Sequence, residues 1–384
     1  MKILYHHRTR SKDGQFVHIE ELTNALKSMG HEIVMVGPTA VAEGEFGSDA
    51  GSVDVLKRVL PKFVYEALEL GYAFVDYISL RRAARIHRPD CIYERYNLYV
   101  PSGVWLHRRT GLPMLLEVNA PLAEERDRYG GLGMPWLARR VERYTWRGAD
   151  RVLPVTDVLA GHVRAAGVDS QHITVIPNGI DQARLSGVPD TAEAKRRLRL
   201  DGRLVLGFVG FMREWHGIER MVDFVADHPE HDAHLLLVGD GPARASVESR
   251  VEARGVSQRV TITGVVQRDA VASYIAAFDV ALQPQVVAYA SPLKLFEYLA
   301  MGRAVLAPDA PNIREVLTDG ENALLFDPDV DGSDRRALER LCRDPELRAR
   351  LGRAARETID RKGLTWSRNA ERVCELFRQL GVRG

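Results

Sequence analysis

Short apolar runs alternate with longer periodic segments from one end of this chain to the other, and that rhythm is its strongest constraint. A short strand followed by a helix brings the chain back to the same edge of a sheet, so the alternation predicts βαβ units and parallel sheets. In the first half, strands are predicted at residues 3–5, 32–36, 91–94, 114–118, 151–155 and 174–176, each followed by a helical segment. The rhythm restarts with "RLVLGFVG" (203–210), "AHLLLVGDG" (233–241), "RVTITG" (259–264), "DVALQP" (279–284), "AVLAPD" (304–309) and "NALLF" (322–326). Two doubly wound, Rossmann-like α/β sheets are the expected fold.

Between the halves, residues 177–202 carry prolines, glycines and mixed charge, the composition of a crossover between domains. The expected boundary lies near Asp181, giving domains of 1–181 and 182–364, with a last helix over 365–380 packing back on the first. The 384 residues, 45% hydrophobic and 27% charged, are enough for two buried cores. A formal charge of +1 offers no field that would select a polyanion, so nucleic acid is not an expected partner. Cys91, Cys342 and Cys374 are too scattered for a disulfide framework or a metal site, which suits a reducing cytoplasm. The start, "MKILYHHRTR", reads as a first strand, neither a signal peptide nor a spanning helix. Residues 55–80 have the pattern of an amphipathic helix that could touch a membrane peripherally, a pattern shared with helices packed on a sheet.

Ligands of parallel sheets bind beyond the carboxyl ends of the strands, so residues at strand-to-helix junctions carry most of the functional information. "SPLKLFEYLAMG" (291–302) follows a predicted strand. Ser291 is a favoured N-cap and Pro292 suits the first helical position, so a helix is expected to open here with free N–H groups suited to phosphate. Ser291, Lys294 and Glu297 recur every three residues and share a face, and Gly302 ends the helix. Lys294 and Glu297 read either as a surface pair or as a site. A lysine near the positive end of a helix dipole favours the site, because an anion there would balance it.

The segments "VIPNGID", "GFVGFMREWHGIERMVDF", "LLLVGDGP", "VTITGVV", "SPLKLFEYLAMGRAVLAPD" and "GENALLFDP" resemble, in order and spacing, the retaining glycosyltransferases of family 4. The resemblance covers nearly the whole chain and is strongest over 174–330. It implies the GT-B fold, two Rossmann-like domains facing across a cleft, with a nucleotide-sugar bound by the second. It further implies that Glu297 binds the ribose hydroxyls and that the helix start, with the backbone of Ala290, Ser291, Pro292 and Leu293, receives the diphosphate. A subgroup with a Trp-His-Gly loop and a Lys-Leu-Phe-Glu-Tyr helix shares further features with this chain. Where the family commonly has a sugar-binding glutamate, this chain has Tyr289. Where it has an arginine and a lysine for the diphosphate, this chain has Phe211 and His216. Arg213, in the same loop, and Lys294 are the candidate replacements. Trp215 reads as packing or ligand stacking, Gly239 as a turn or a nucleotide contact, and Val265 or Val266 as the neighbour of the base.

In the first half, Gly14 precedes a helix without the paired glycines of a dinucleotide site, so no NAD or other cofactor is expected. By resemblance the Gly14 loop approaches the donor phosphates. His18 lies one turn further on, facing cleft or solvent. Glu94, Arg95, Glu117, Asn119, Glu124 and Arg126 follow strands, as candidates for holding acceptor hydroxyls or charged groups. Glu117 or Glu124 could serve as a base or be ion-paired, and Asn119 stands where many family members have a histidine. No metal-ligand motif is evident. The implied activity is metal-independent transfer of a sugar, with retention, from a UDP- or GDP-sugar to a hydroxyl of a sugar, a lipid-linked saccharide or a small metabolite. A non-catalytic sugar-nucleotide binder is the alternative, and an NAD-dependent oxidoreductase is disfavoured by the missing fingerprint.

Overall fold

The computed structural model of the chain describes residues 1–9, 14–38 and 60–383. It forms two compact units. The first comprises Met1–Pro177, Tyr289–Ser291 and Trp366–Gly384, the second Asn178–Ala288 and Pro292–Thr365.

The first unit has five parallel strands, β1 (Lys2–His6), β2 (Glu32–Val36), β3 (Cys91–Arg95), β4 (Met114–Val118) and β5 (Arg151–Pro154), in the order β2-β1-β3-β4-β5. Every residue of β3 and β4 is buried, as expected for parallel strands covered on both faces. Edge strand β2 is partly exposed, and its Glu32 pairs with Lys2 at 3.1 Å, a charge that discourages further pairing. The strand expected at 174–176 is not formed. Thr174 and Ile176 donate to Val152 and Pro154 at 3.0 Å each, but only an isolated bridge joins Val152 to Ile173. Pro154 has no N–H to return, so a regular ladder cannot propagate there.

The segment expected to be amphipathic is the helix Lys62–His87; residues 55–59 lie outside the described residues. Its polarity is inverted. Glu66 and Asp76 lie on the buried face with Ala73 and Leu80, whereas Phe63, Phe74, Val75, Ile78 and Ile86 are exposed. Glu66 accepts from the N–H groups of Gly133 and Met134 at 2.6 and 2.8 Å, which satisfies the inward carboxylate. Among the described residues no helix is long and apolar enough to cross a membrane.

The second unit has six parallel strands, β6 (Leu204–Val209), β7 (Ala233–Val238), β8 (Val260–Ile262), β9 (Val280–Leu282), β10 (Ala304–Pro308) and β11 (Leu324–Phe326), ordered β11-β10-β9-β6-β7-β8. Period-two alternation divides its core: Val205, Val209, Leu236 and Val238 enter one apolar cluster, and Leu206, Phe208, Leu235 and Leu237 the other. Gly207, in β6, lies against the ring of Phe278, which a Cβ would approach to 2.2 Å. Gly207→Ala is expected to lower unfolding free energy by about 1–3 kcal/mol. Gly161→Ala, in the helix Asp157–Ala165 with open space around it, should be neutral or stabilising. Denaturant titration of both variants checks the contrast.

Candidate functional site

Strand order reverses between β6 and β9 in the second unit, and between β1 and β3 in the first; these switch points are where such sheets place ligands.

In the second unit β6 ends at Val209 and Gly210 follows it directly. Gly210 has φ +132° and donates to Val238 O at 2.9 Å, while a Cβ on Gly239 would come within 2.2 Å of Gly210 O. A Cβ on Gly241 would likewise meet Met212 O at 2.3 Å. Gly239, expected as a turn or nucleotide contact, therefore serves first to let two loop backbones touch. Lys294 reaches the same loop from the helix Leu293–Ala300; a Cβ on Gly210 would sit 3.1 Å from its Nζ, which also lies 3.8 Å from the Phe208 ring centroid. Burial pushes the Lys294 amine down to about 7, against the pull of Glu297. This is a half-buried cation without enough counter-charge, not an exposed surface pair.

The expected capping by Ser291 is corrected. The helix starts at Leu293, Pro292 is its cap residue with ψ 117°, and no side chain caps it. The extended ψ of Pro292 delays the helical turn by one residue, and Leu295 N–H bonds to Pro292 O at 3.1 Å. The N–H groups of Leu293 and Lys294 have no intrahelical acceptor. Gly302, with φ +63°, closes the other end as Arg303 donates to Tyr298 O at 3.0 Å.

His216 does not replace the charge of a lysine. Its Nδ1 accepts the Arg213 N–H at 3.1 Å, leaving Nε2–H as its donor, and burial with Lys294 and Arg213 nearby lowers its pKa to about 3. Arg213 is exposed, its guanidinium 5.1 Å from the Phe211 ring. Trp215 is partly exposed and packs on His216 at 3.9 Å between ring centroids; Val265 is exposed. Tyr298 supports this site from beneath. Fully buried, its hydroxyl accepts from Val209 N–H at 2.9 Å and lies 3.5 Å from Leu282 O, bridging the ends of β6 and β9. A tyrosine on the apolar face of a helix was the available signal, since a buried phenol needs a partner.

Tyr289, Ala290 and Ser291, expected beside the donor, group with the first unit. There Thr156 Oγ1 donates to Tyr289 O at 3.0 Å, and the Tyr289 hydroxyl bonds to Glu125. This spends the phenol on a carboxylate rather than leaving it as a stand-in for one.

In the first unit His18, Arg95, Glu117 and Asn119 form one cluster at the ends of β3 and β4. Glu117 accepts from Arg95, from Asn119 Nδ2 at 2.5 Å, from Tyr93 OH at 2.7 Å and from His18 Nε2 at 2.9 Å. Burial raises its pKa, but His18 and Arg95 overcome that and hold it well below the carboxylate range. The expected base is therefore an ionised anchor, its oxygens occupied by donors. His18 is buried, not solvent-facing, with its ring 4.8 Å from Trp366.

Glu94 belongs to a second cluster. Its Oε2 lies 2.7 Å from His6 Nδ1, and His6 Nε2 lies 3.0 Å from Asp76 Oδ2, which also accepts from Ser102. Burial disfavours the His6 imidazolium, yet Glu94 and Asp76 raise its pKa to about 9. Gly103 leaves room for Glu94, since a Cβ there would meet Oε2 at 1.8 Å. Neither His6 nor Asp76 was anticipated; the histidine pair of His6, the last residue of β1, and His7 was the only trace. Glu124 and Arg126 join neither cluster: Glu124 lies 3.4 Å from both His162 and Arg128, and Arg126 forks onto Glu69. Gly14 begins the helix Gly14–Ser28, and residues 10–13 of its loop lie outside the described residues.

Residues 190–358 match the family model for "Glycosyl transferases group 1", and residues 13–179 match that for a "Glycosyl transferase 4-like domain". The chain carries the two domains of a GT-B glycosyltransferase. It is 26% identical over 385 residues to D-inositol 3-phosphate glycosyltransferase of Arthrobacter sp. (strain FB24), covering 95% of this chain and 89% of that one. To alpha-D-kanosaminyltransferase of Streptomyces kanamyceticus it is 27% identical over 251 residues, 64% of this chain and 64% of the relative, so that match spans less than two thirds of the relative's length. Anabaena HepE, solved in complex with UDP, shares the fold with a TM-score of 0.78 at 17% identity, covering 99% of this chain and 100% of that one.

Two measurements follow. Glu117→Gln removes a buried ion pair and is expected to cost about 3–5 kcal/mol of stability at pH 7. The depressed pKa means this contribution is complete above the unfolded value of about 4.3 and is lost as pH falls below it, so the stability gap between wild type and variant should narrow in acid. In a nitrogen NMR titration, His6 should stay doubly protonated up to about pH 9. His216 should stay neutral down to about pH 3.

Proposed function

We propose that this glycosyltransferase moves a hexose, with retention and without a catalytic metal, from a UDP- or GDP-sugar to a hydroxyl of a polyhydroxylated acceptor. The observation that carries the reading is Lys294, held half-buried beside Gly210 at the β6–β9 switch point with its amine pushed down to about 7. A diphosphate placed there restores the missing counter-charge, and the free N–H groups of Leu293 and Lys294 add donors. Arg213 supplies a further positive charge from the adjoining loop. Glu297, one turn along from Lys294, accepts from ribose hydroxyls, which favours ribonucleotides. The UDP held by Anabaena HepE makes UDP the first nucleotide to test.

Departure of the diphosphate is the step these groups assist: charge accumulates on the leaving oxygen as the anomeric bond breaks, and the acceptor hydroxyl attacks from the same face. With Glu117 occupied by four donor groups, the leaving phosphate oxygen is the group that takes the hydroxyl proton. Asn119, whose Nδ2 is held by Glu117, keeps its carbonyl oxygen for orienting that hydroxyl. The inositol phosphate relative supports a cyclitol or sugar as acceptor. The exposed apolar row Phe63, Phe74, Val75, Ile78 and Ile86 supports a lipid-linked one, held by peripheral membrane contact. Vesicle flotation with and without Ile78→Ser separates these two.

The donor reading is tested by calorimetry with UDP and GDP and by product formation with a donor panel. Because an anion selects the protonated lysine, UDP affinity should fall roughly fivefold between pH 7 and 8, and Lys294→Met should abolish that dependence. Glu297→Gln should weaken binding roughly ten- to a hundredfold. Unchanged affinity in both variants would reject the site, and binding without turnover across cyclitol and sugar acceptors would favour a sugar-nucleotide sensor.

A further inference from the structure

The segment "DHPEHDAH" (227–234) joins the helix Glu219–Asp227 to β7, at the end of the second sheet opposite Lys294. Pro229 opens a 3₁₀ turn, Pro229–His231, and Asp232 leaves it in the left-handed region at φ +44°. In a 3₁₀ turn residues i and i+3 eclipse. The rings of His228 and His231 are accordingly stacked, 5.7 Å apart at 26°. Phe224 backs both, at 4.6 and 6.2 Å, and Arg259 braces the turn by donating to Ala233 O at 3.2 Å.

Glu230 Oε1 lies 3.1 Å from His228 Nδ1 and 3.8 Å from His231 Nε2. The ligand atoms of all three residues lie within 4.8 Å of one another, the only such group among the described residues. Zinc bonds of about 2.0–2.1 Å in a tetrahedron set ligand atoms roughly 3.3 Å apart. The two distances to Glu230 Oε1 bracket that value, and the exposed Glu230 side chain can close the difference.

A histidine–glutamate contact on the surface would account for His228 and Glu230 but not for His231. That side chain is only 7% exposed, and its Nε2 has no hydrogen-bond partner although it is buried and faces the other two ligand atoms. An imidazole nitrogen without a partner at such a point is costly unless something binds it. Nearby Asp227 is engaged by Arg254 and Arg335 and does not compete.

We infer that His228, Glu230 and His231 form a binding site for a divalent transition metal of the zinc class, joining the end of a helix to the start of β7. Two imidazoles and one carboxylate suit zinc, nickel or copper rather than magnesium, which prefers oxygen ligands. With three protein ligands the remaining coordination positions are open to water. The site lies at the edge of the sheet away from Lys294, so its role is to stiffen the turn and not to take part in transfer.

The test is calorimetric titration of the metal-free full-length chain with Zn²⁺ and, separately, Mg²⁺, together with thermal melts. The wild type should bind one equivalent of Zn²⁺ and melt at a higher temperature with it, and Mg²⁺ should do neither. Glu230→Gln, at an exposed position that does not threaten folding, should weaken Zn²⁺ binding at least about tenfold. The pair His228→Asn with Glu230→Gln should abolish both the binding and the melting shift, with UDP affinity unchanged. A wild type with no saturable Zn²⁺ binding overturns the inference. So does a double variant that binds Zn²⁺ within about threefold of the wild-type affinity, since the metal would then sit elsewhere.

Discussion

The hydroxyl of Tyr298 joins the two strands between which the order of the second sheet reverses. β6 and β9 pair through Leu206–Val280 and Gly207–Ala281, and beyond that short ladder the Val209 N–H donates to a side chain and not to β9. Tyr298 is that side chain, bound to Val209 and close to Leu282. Because it belongs to the same helix as Lys294 and Glu297, satisfying two strands also fixes the rotation of that helix. The face one residue to either side is apolar and buried, with Phe296, Leu295 and Leu299 in the core. Lys294 and Glu297 are left at the carboxyl edge of the sheet because the phenol and the leucines take the inside.

The first unit meets the same requirement with charge. Three carboxylates, Asp76, Glu94 and Glu117, are buried at or near its switch point, where an uncompensated charge would be prohibitive. Each is matched: Glu117 by Arg95 and His18, and Glu94 and Asp76 by the shared His6. One consequence is the inversion of the Lys62–His87 helix, whose inward face must deliver Asp76 to His6 and Glu66 to the Gly133 turn. Its apolar residues are then left outside. A second consequence is chemical, since a carboxylate anchored by four groups gives up basicity for rigidity.

Local pattern carried most of the architecture. Ten of the eleven strands lie within two residues of the expected ranges at both ends, because short apolar runs between turns have few other ways to be buried; the eleventh, β7, starts where expected and ends at Val238, three residues before the end of its expected segment. The failure at 174–176 came from one missing N–H, on Pro154, a residue of the neighbouring strand rather than of the run itself. Lys294 and Glu297 could be singled out because their three-residue spacing and the preceding strand are both local facts. Ser291 was misjudged because capping depends on the ψ of Pro292, which composition does not set. The neutral state of His216, which stands where the family has a lysine, depends on burial and on the neighbouring Lys294 and Arg213, none of which spacing reveals.

By itself, then, the sequence determined the two parallel sheets, their approximate strand limits and the strand-to-helix junctions on which the candidate residues lie, since periodicity and turn chemistry act over a few residues. Only the tertiary structure decided which charges are spent and which are available. Glu117 is paired with His18 from 99 residues away and His6 with Glu94 from 88. Lys294 is kept short of counter-charge by the company of Phe208 and Gly210. Electrostatic energies in a protein interior depend on distance and burial, and neither can be read from spacing along the chain.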